Sequence, residues 1–261
     1  AIMEAVPQGV EVGDRREAIK QAVAELETGD TLVIAGKGHE TGQTAAGVTK
    51  HFSDHEEART AIAQMSETPT GSVGPLWTGQ DIIDAIGARP ANGVAGDVTG
   101  VSIDTRTLEP GDVFFAIAGD NFDGHMFASK AVAAGCSALV VAEEKLPALG
   151  HITKPLRVVP DVLEAMERLG VAARARTKAK IVAVTGSAGK TTTKEALRHV
   201  FAQQSSKVHA SPKSFNNHWG VPLTLSRMPQ DTEYAVFEIG MNHAGEITPL
   251  VKMVRPHVAM F

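Results

Sequence analysis

The stretch AVTGSAGKTTTKE, residues 183–195, holds residue types that bind phosphate. Gly186, Ser187, Ala188 and Gly189 form a short glycine-bounded turn, and Lys190, Thr191 and Thr192 follow at once. Without a Cβ in the way, successive backbone N–H groups of such a turn can converge on phosphate oxygens. A helix opening at Lys190 adds the partial positive charge of its N-terminus. In this setting the Lys190 ammonium reaches β- and γ-phosphates, and the Thr191 hydroxyl is a ligand for Mg2+. The pattern is T-G-x-x-G-K-T, since Val184 stands where the common G-x-x-x-x-G-K-[ST] loop has its first glycine. The competing reading is a helix-capping turn that happens to contain lysine. Against it, KIVAVT before the turn reads as a strand and KTTTKEALRHVF after it as a helix, the context a phosphate loop requires.

Glu238 closes the strand-like YAVFEIG, one strand–helix–strand crossover after the loop. A carboxylate at the C-terminal end of a neighbouring parallel strand lies in the crevice where doubly wound sheets bind ligands, and it can hold a nucleotide's Mg2+. The bland alternative is a solvated glutamate at a strand end. No Asn-Lys-x-Asp that would read a guanine base is present, and the glycine spacing is shorter than small-molecule kinases usually carry.

The elements that must position these groups belong to a chain of 261 residues, enough for one to two domains, with 43% hydrophobic residues to build cores. Net charge is −5 with acids and bases interspersed, so no basic block exists to track a nucleic-acid backbone. No apolar run approaches the roughly 18 residues of a membrane span. The first residues lack a basic segment followed by an apolar one, so no signal peptide is visible. Cys136 is the one cysteine, in the apolar AAGCSALVV, which fits a buried reduced thiol and a cytoplasmic location.

Three blocks separate by pattern. In the first, DRREAIKQAVAELE has helical apolar spacing, TLVIA reads as a short buried strand, GKGHETGQ as a polar loop, and SDHE opens a second helix to about Met65. SETPTGSVGP, residues 66–75, reads as a linker. The second block starts with a helix capped by Thr78, then strands in GVSIDTRTLEPGDVFFAI and SALVVA around a helix near 126–134, with Pro110-Gly111 as a tight turn. Asp161 then caps a connecting helix. The third block alternates strand and helix, as in a doubly wound, mainly parallel sheet. Its last apolar strand runs to Phe261, and the first block holds only half of an α/β unit, so an internal piece of a longer polypeptide is the expectation.

TGSAGKTTTKE, SFNNHWGVPLTLSRMP and FEIGMNHAGEI, in that order, resemble the MurF-type ligases, and SIDTRTLEPGDVFFAIAGDNFDGHMFASKAVAAGCSALVV resembles the N-terminal domain of the same family. The resemblance covers about residues 76–261. It implies a small mixed α/β domain for a UDP-linked substrate (76–160), then part of a P-loop ATPase domain (161–261), truncated before the family's metal-binding histidine, modified lysine and C-terminal domain. The implied activity is ATP-dependent: D-Ala-D-Ala is added to UDP-MurNAc-tripeptide through an acyl phosphate, with Mg2+ as cofactor. These residues alone would then bind ATP weakly and turn over negligibly.

By the same resemblance Asn216 and Asn217 lie near the substrate carboxylate or the metal, as catalytic partners of Lys190; a loop-turning pair is the alternative. Ser102, Asp104 and Arg106 shape the UDP pocket and Asp123, Gly124 and His125 close it, unless DGH is only a polar turn. Asn242 and His243 fall in a substrate loop or a plain surface loop. DRREAI, LVIAGKGHETGQ and FSDHEEA resemble the C-terminal end of a MurE-type ligase over residues 1–66, with Gly36 and Glu40 at positions that contact an incoming diamino acid. The joint expectation is the junction of a MurE–MurF fusion. Two other readings stay open: a folylpolyglutamate-type ligase, which shares the loop but not the UDP-domain pattern, and a non-catalytic junction module.

Overall fold

Asp14 starts the first described helix, α1 (Arg15–Ala24), by accepting the Glu17 N–H at 3.0 Å. Ile19 and Val23, one turn apart, form its buried face. The computed structural model describes residues 12–26, 32–35, 42–45, 48–66, 75–93, 96–119, 122–212, 214–241, 243 and 245–261. They fall into two units, Ala1–Gly71 and Ser72–Phe261. In the first unit α1 is joined by α2 (Asp54–Ser66), and the Arg15 guanidinium forks onto Asp54 with two bonds of 2.7 Å. Phe52 and Ala61 complete a small core with Ile19 and Val23.

The strand expected at TLVIA is not formed: Leu32 to Ala35 have no strand pairing, and Leu32 and Ile34 pack on that core instead. The described strands are β1 (Gly42–Ala45) and β2 (Val48–His51), an antiparallel hairpin partly within the expected polar loop. A short apolar run signals burial, and side-chain packing met that need without a ladder. The expected linker, apart from Ser66 and Pro75, lies outside the described residues.

The second unit has two sheets. The first contains β3 (Arg89–Ala91), β4 (Gly100–Ser102), β5 (Asp112–Phe115), β6 (Ala138–Ala142) and β7 (Leu156–Val159), in the order β3-β7-β6-β5-β4. Its strands are parallel except β3. The second contains β8 (Lys180–Val184), β9 (Val208–Ala210), β10 (Tyr234–Glu238) and β11 (Val258–Met260), all parallel, in the order β11-β8-β10-β9. The mixed, mainly parallel α/β class is the one expected. β8 and β10 are apolar almost throughout because strands of a parallel sheet are covered on both faces.

Six α-helices are described in this unit: α3 (Gly79–Ile86), α4 (Ala128–Ala133), α5 (Val162–Arg176), α6 (Lys190–Ala202), α7 (Gly220–Ser226) and α8 (Ile247–Val254). Thr78 and Asp161 cap α3 and α5 as expected, accepting the N–H of Asp81 at 3.1 Å and of Glu164 at 2.8 Å. Pro110 and Gly111 make a type II turn, with Gly111 at φ 95° and Asp112 N–H on the Glu109 carbonyl at 3.1 Å. One apolar core runs from Trp77, Phe115 and Val140 through Met166 and Leu169 of α5 to Ile181 and Phe237. Trp77 donates its indole N–H to the Ser226 carbonyl at 2.8 Å, and the Arg176 guanidinium stacks 3.3 Å from its ring centre. Among the described residues no helix is long and apolar enough to cross a membrane.

His209 on β9 donates Nε2–H to the Thr224 carbonyl at 2.8 Å, and its burial lowers the imidazole pKa to about 4. A histidine held neutral in the fold loses ground wherever the unfolded chain can take the proton. His209 therefore removes stability as pH falls from about 6.5, its unfolded value, towards 4. His209→Gln keeps a donor for Thr224 and cannot titrate. Urea unfolding across that window is expected to give the variant the shallower pH slope; equal slopes would show that His209 does not carry the effect.

Candidate functional site

β8 delivers the chain into the loop, and Gly186 at φ 133° and Gly189 at φ 77° bend it in a region that side chains with a Cβ rarely adopt. Gly189 is the N-cap of α6 and no side chain caps that end, so the first-turn N–H groups face the loop. Lys190 folds back over the turn, its Nζ donating to the Gly186 carbonyl at 2.7 Å. Ser187, Ala188, Gly189, Lys190, Thr191, Thr192, Ser214, Asn216 and Glu238 line one pocket of about 310 Å³.

The floor of that pocket is a hydrogen-bonded line. Thr191 Oγ1 donates to Glu238 Oε2 at 2.9 Å, and Asn216 Nδ2 donates to Glu238 Oε1 at 2.8 Å. Glu238 is 1% exposed, so its carboxylate is held by these donors rather than by bulk water. Gly240 lets Asn216 come this close: a Cβ there would stand 2.9 Å from the Asn216 Cγ. The two oxygens at the helix N-terminus, hydroxyl and carboxylate, are hard ligands of the kind Mg2+ takes when phosphates and water complete its shell. Among the described residues no cluster of three His, Cys, Asp or Glu offers a cage made by the protein alone. A larger cavity of about 880 Å³ lies at the opposite end of the strands, beside Lys180 and Tyr234. It has no glycine turn and sits at the N-terminal ends of the strands, away from where parallel sheets bind ligands.

Asn217 is placed differently from Asn216. Its Oδ1 accepts the N–H groups of Trp219 at 3.2 Å and Gly220 at 2.9 Å, which turns the chain into α7. The Trp219 ring lies against Gly119, and its indole nitrogen is buried without a hydrogen-bond partner.

Ser102 is buried at the end of β4, its hydroxyl bonded to the backbone of Asp104. Arg106 grips Asp104 with contacts of 2.6–3.0 Å and holds that carboxyl below its usual range. Asp123 is shared by the His125 ring at 2.6 Å and Lys145 at 2.9 Å. Burial pushes the Asp123 carboxyl up, but Lys145 and the His125 amide and ring outweigh it and hold it at about 2. His125 Nε2 accepts the Ala142 N–H at 2.9 Å, so Nδ1 carries the ring proton and gives it to Asp123. Both nitrogens of His125 are thus engaged within the fold. His243 is exposed and pairs with Glu246 at 3.0 Å. Asn242, Gly36 and Glu40 lie outside the described residues. Sequence reasoning missed Ser214, whose hydroxyl is 3.3 Å from that of Thr191, and Lys194, one turn into α6. Only its place one helical turn after Thr191 marked Lys194.

Residues 97–199 match the family model described as Mur ligase family, catalytic domain, and residues 184–261 match the Mur ligase middle domain. A UDP-N-acetylmuramoyl-tripeptide–D-alanyl-D-alanine ligase of Rickettsia prowazekii is 37% identical over 185 residues, 71% of this chain and 40% of the relative. These residues are homologous to MurF-type ligases. The Escherichia coli ligase of the same name is 39% identical over 160 residues, 61% of this chain and 34% of its own. A crystal structure of MurF from Acinetobacter baumannii matches with TM-score 0.62 and 34% identity over 70% of this chain and 40% of that one. MurF from Thermotoga maritima, solved in complex with ADP, matches with TM-score 0.50 and 27% identity over 60% of this chain and 35% of that one. The chain thus spans about 40% of the length of the first MurF-type relative.

Proposed function

We propose that this chain carries the phosphate-binding and UDP-substrate-binding parts of an ATP-dependent amide ligase that joins D-Ala-D-Ala to UDP-MurNAc-tripeptide. The observation that carries the reading is the line Thr191–Glu238–Asn216 beside the uncapped start of α6, within residues homologous to MurF-type ligases. A carboxylate is a poor acyl donor, so its oxygen first attacks the γ-phosphorus of ATP, ADP leaves, and an acyl phosphate forms. The amine of D-Ala-D-Ala then attacks the acyl carbon, phosphate leaves with the bonding pair, and the nitrogen sheds a proton. Both steps bring anions together, and the site's task is to place and neutralise them.

Lys190 and the loop N–H groups are suited to the β- and γ-phosphates. Thr191 and Glu238 would hold Mg2+, which supplies further neutralisation of phosphate charge. Asn216 fixes the rotation of the Glu238 carboxylate. Arg106, largely exposed beside Asp104, is the group of the second block best placed to meet a diphosphate. Residues 1–66 carry the MurE-like part of the reading. That part rests on the motifs DRREAI, LVIAGKGHETGQ and FSDHEEA alone; within it, Arg15 pairs with Asp54 and Arg16 with Glu57, each at 2.7 Å.

The test is to capture the native polypeptide from its source cells with antibodies to residues 76–261 and to weigh and assay it. Mg2+-dependent phosphate release is expected only with UDP-MurNAc-tripeptide and D-Ala-D-Ala both present. Release with a folate and glutamate instead would overturn the ligase assignment. A mass that leaves no room for a MurE-like ligase would overturn the fusion alone.

A further inference from the structure

Lys194 is a fully buried lysine, 0% exposed, that the reading above gives no task. Burying an ammonium is costly unless it is well bonded, and an aliphatic side chain of similar volume fills such a space more cheaply. Its Nζ donates to the Ser211 carbonyl at 2.7 Å and lies 3.1 Å from Glu195 Oε1. Ser211 is the residue after β9, and its hydroxyl accepts the backbone N–H of Glu238 at 3.4 Å. Thr191 and Lys194 stand three apart on α6, hence on one face. That face meets the same segment twice, at the Glu238 carboxylate through Thr191 and at the Glu238 backbone through Lys194 and Ser211.

We propose that Lys194 is a positioning residue of the phosphate site, and that its bond to Ser211 sets the distance between the start of α6 and the Glu238 carboxylate. The inference rests on the phosphate-site reading for its chemistry, but the structural link itself can be measured without a nucleotide. Loss of the ammonium unties the Ser211 carbonyl from α6, leaving Ser211 bonded only to β10 through Val236 and Glu238, and lets the end of β10 drift from α6. Glu238 then no longer faces a cation held by Thr191, whereas Lys190 and the loop N–H groups are untouched. The defect is therefore selective: binding that depends on Mg2+ falls, and binding without it stays.

The experiment titrates the protein and its Lys194→Met variant with ATP, once with Mg2+ and once with EDTA. The expected result is an approximately 10-fold loss of affinity with Mg2+ and less than about a twofold change with EDTA, the size seen when the support of a metal ligand is removed. No loss, or equal loss in both conditions, overturns the proposal, because a purely structural lysine gives one of these. Hydrogen exchange of the ligand-free proteins is measured alongside. Faster exchange confined to residues 208–212 and 236–240 is expected, and unchanged exchange there overturns the link. If the wild type binds no ATP, the phosphate-site reading fails and the exchange result alone decides about Lys194. Should Lys194→Met fail to fold, Ser211→Ala cuts the same relay at its hydroxyl; the same selective loss is expected, and its absence overturns the proposal.

Discussion

Lys190→Ala is expected to weaken Mg·ATP binding about 100-fold and to leave thermal stability nearly unchanged. In the ligand-free loop the Lys190 ammonium bridges to the Gly186 carbonyl across an open turn, so its loss removes no buried contact. With a triphosphate present the same group is placed to give charge-assisted hydrogen bonds. Two such bonds at roughly 1.5–2 kcal/mol each amount to about 3 kcal/mol, or close to 100-fold in affinity. Lys190→Arg would recover only part of this, because a planar fork on a longer stem does not reproduce a point charge at the mouth of a tight turn. Isothermal titration with Mg·ATP measures the loss and a melting curve checks the fold. Undiminished affinity would mean that phosphate binds elsewhere.

Gly124→Ala is expected to cost about 3 kcal/mol of stability, a fall of roughly 6–12 °C in melting temperature. A Cβ at position 124 would stand 2.7 Å from the Ala116 carbonyl carbon and 2.7 Å from the Ile117 oxygen. Both are backbone atoms just past β5, an inner strand of its sheet, and Gly124 N–H is itself bonded to that oxygen at 2.8 Å. Neither can move aside without disturbing the bond of 3.0 Å from the Ala116 N–H to the Val140 carbonyl of β6. Gly96→Ala, whose added Cβ meets nothing within 4 Å, is the control and should melt as the wild type does. A Gly124→Ala protein that melted normally yet lost affinity for UDP-MurNAc-tripeptide would return the glycine to a ligand-facing role.

The candidate site was legible where chemistry is local. A glycine turn between an apolar strand and a Lys-Thr helix start identifies itself within a dozen residues, and Glu238 followed from the order of strands. What was not legible depends on contacts between distant segments. Nothing in SFNNHWGVP says that Asn216 turns to Glu238 while Asn217 caps α7, since the two share a type and differ only in the backbone around them. α7 was hidden because it is seven residues long and contains Pro222, which is harmless in a first turn whose N–H groups lack helical partners. β3, β7 and β9 are three or four residues each, too short for any period to show. The TLVIA strand failed for the converse reason: the apolar signal was real, but packing rather than pairing answered it.

The surroundings of the two tryptophans also give the protein an optical signal of its own. Trp77 is 3% exposed and sealed beneath Arg176, so its ultraviolet emission follows the integrity of the core. Trp219 stands two residues past the Asn pair and leans on Gly119, so its emission follows the loop that carries Asn216 to the pocket beside Glu238. Unfolding and loop rearrangement can be read separately, in solution and without a dye, by replacing one indole at a time.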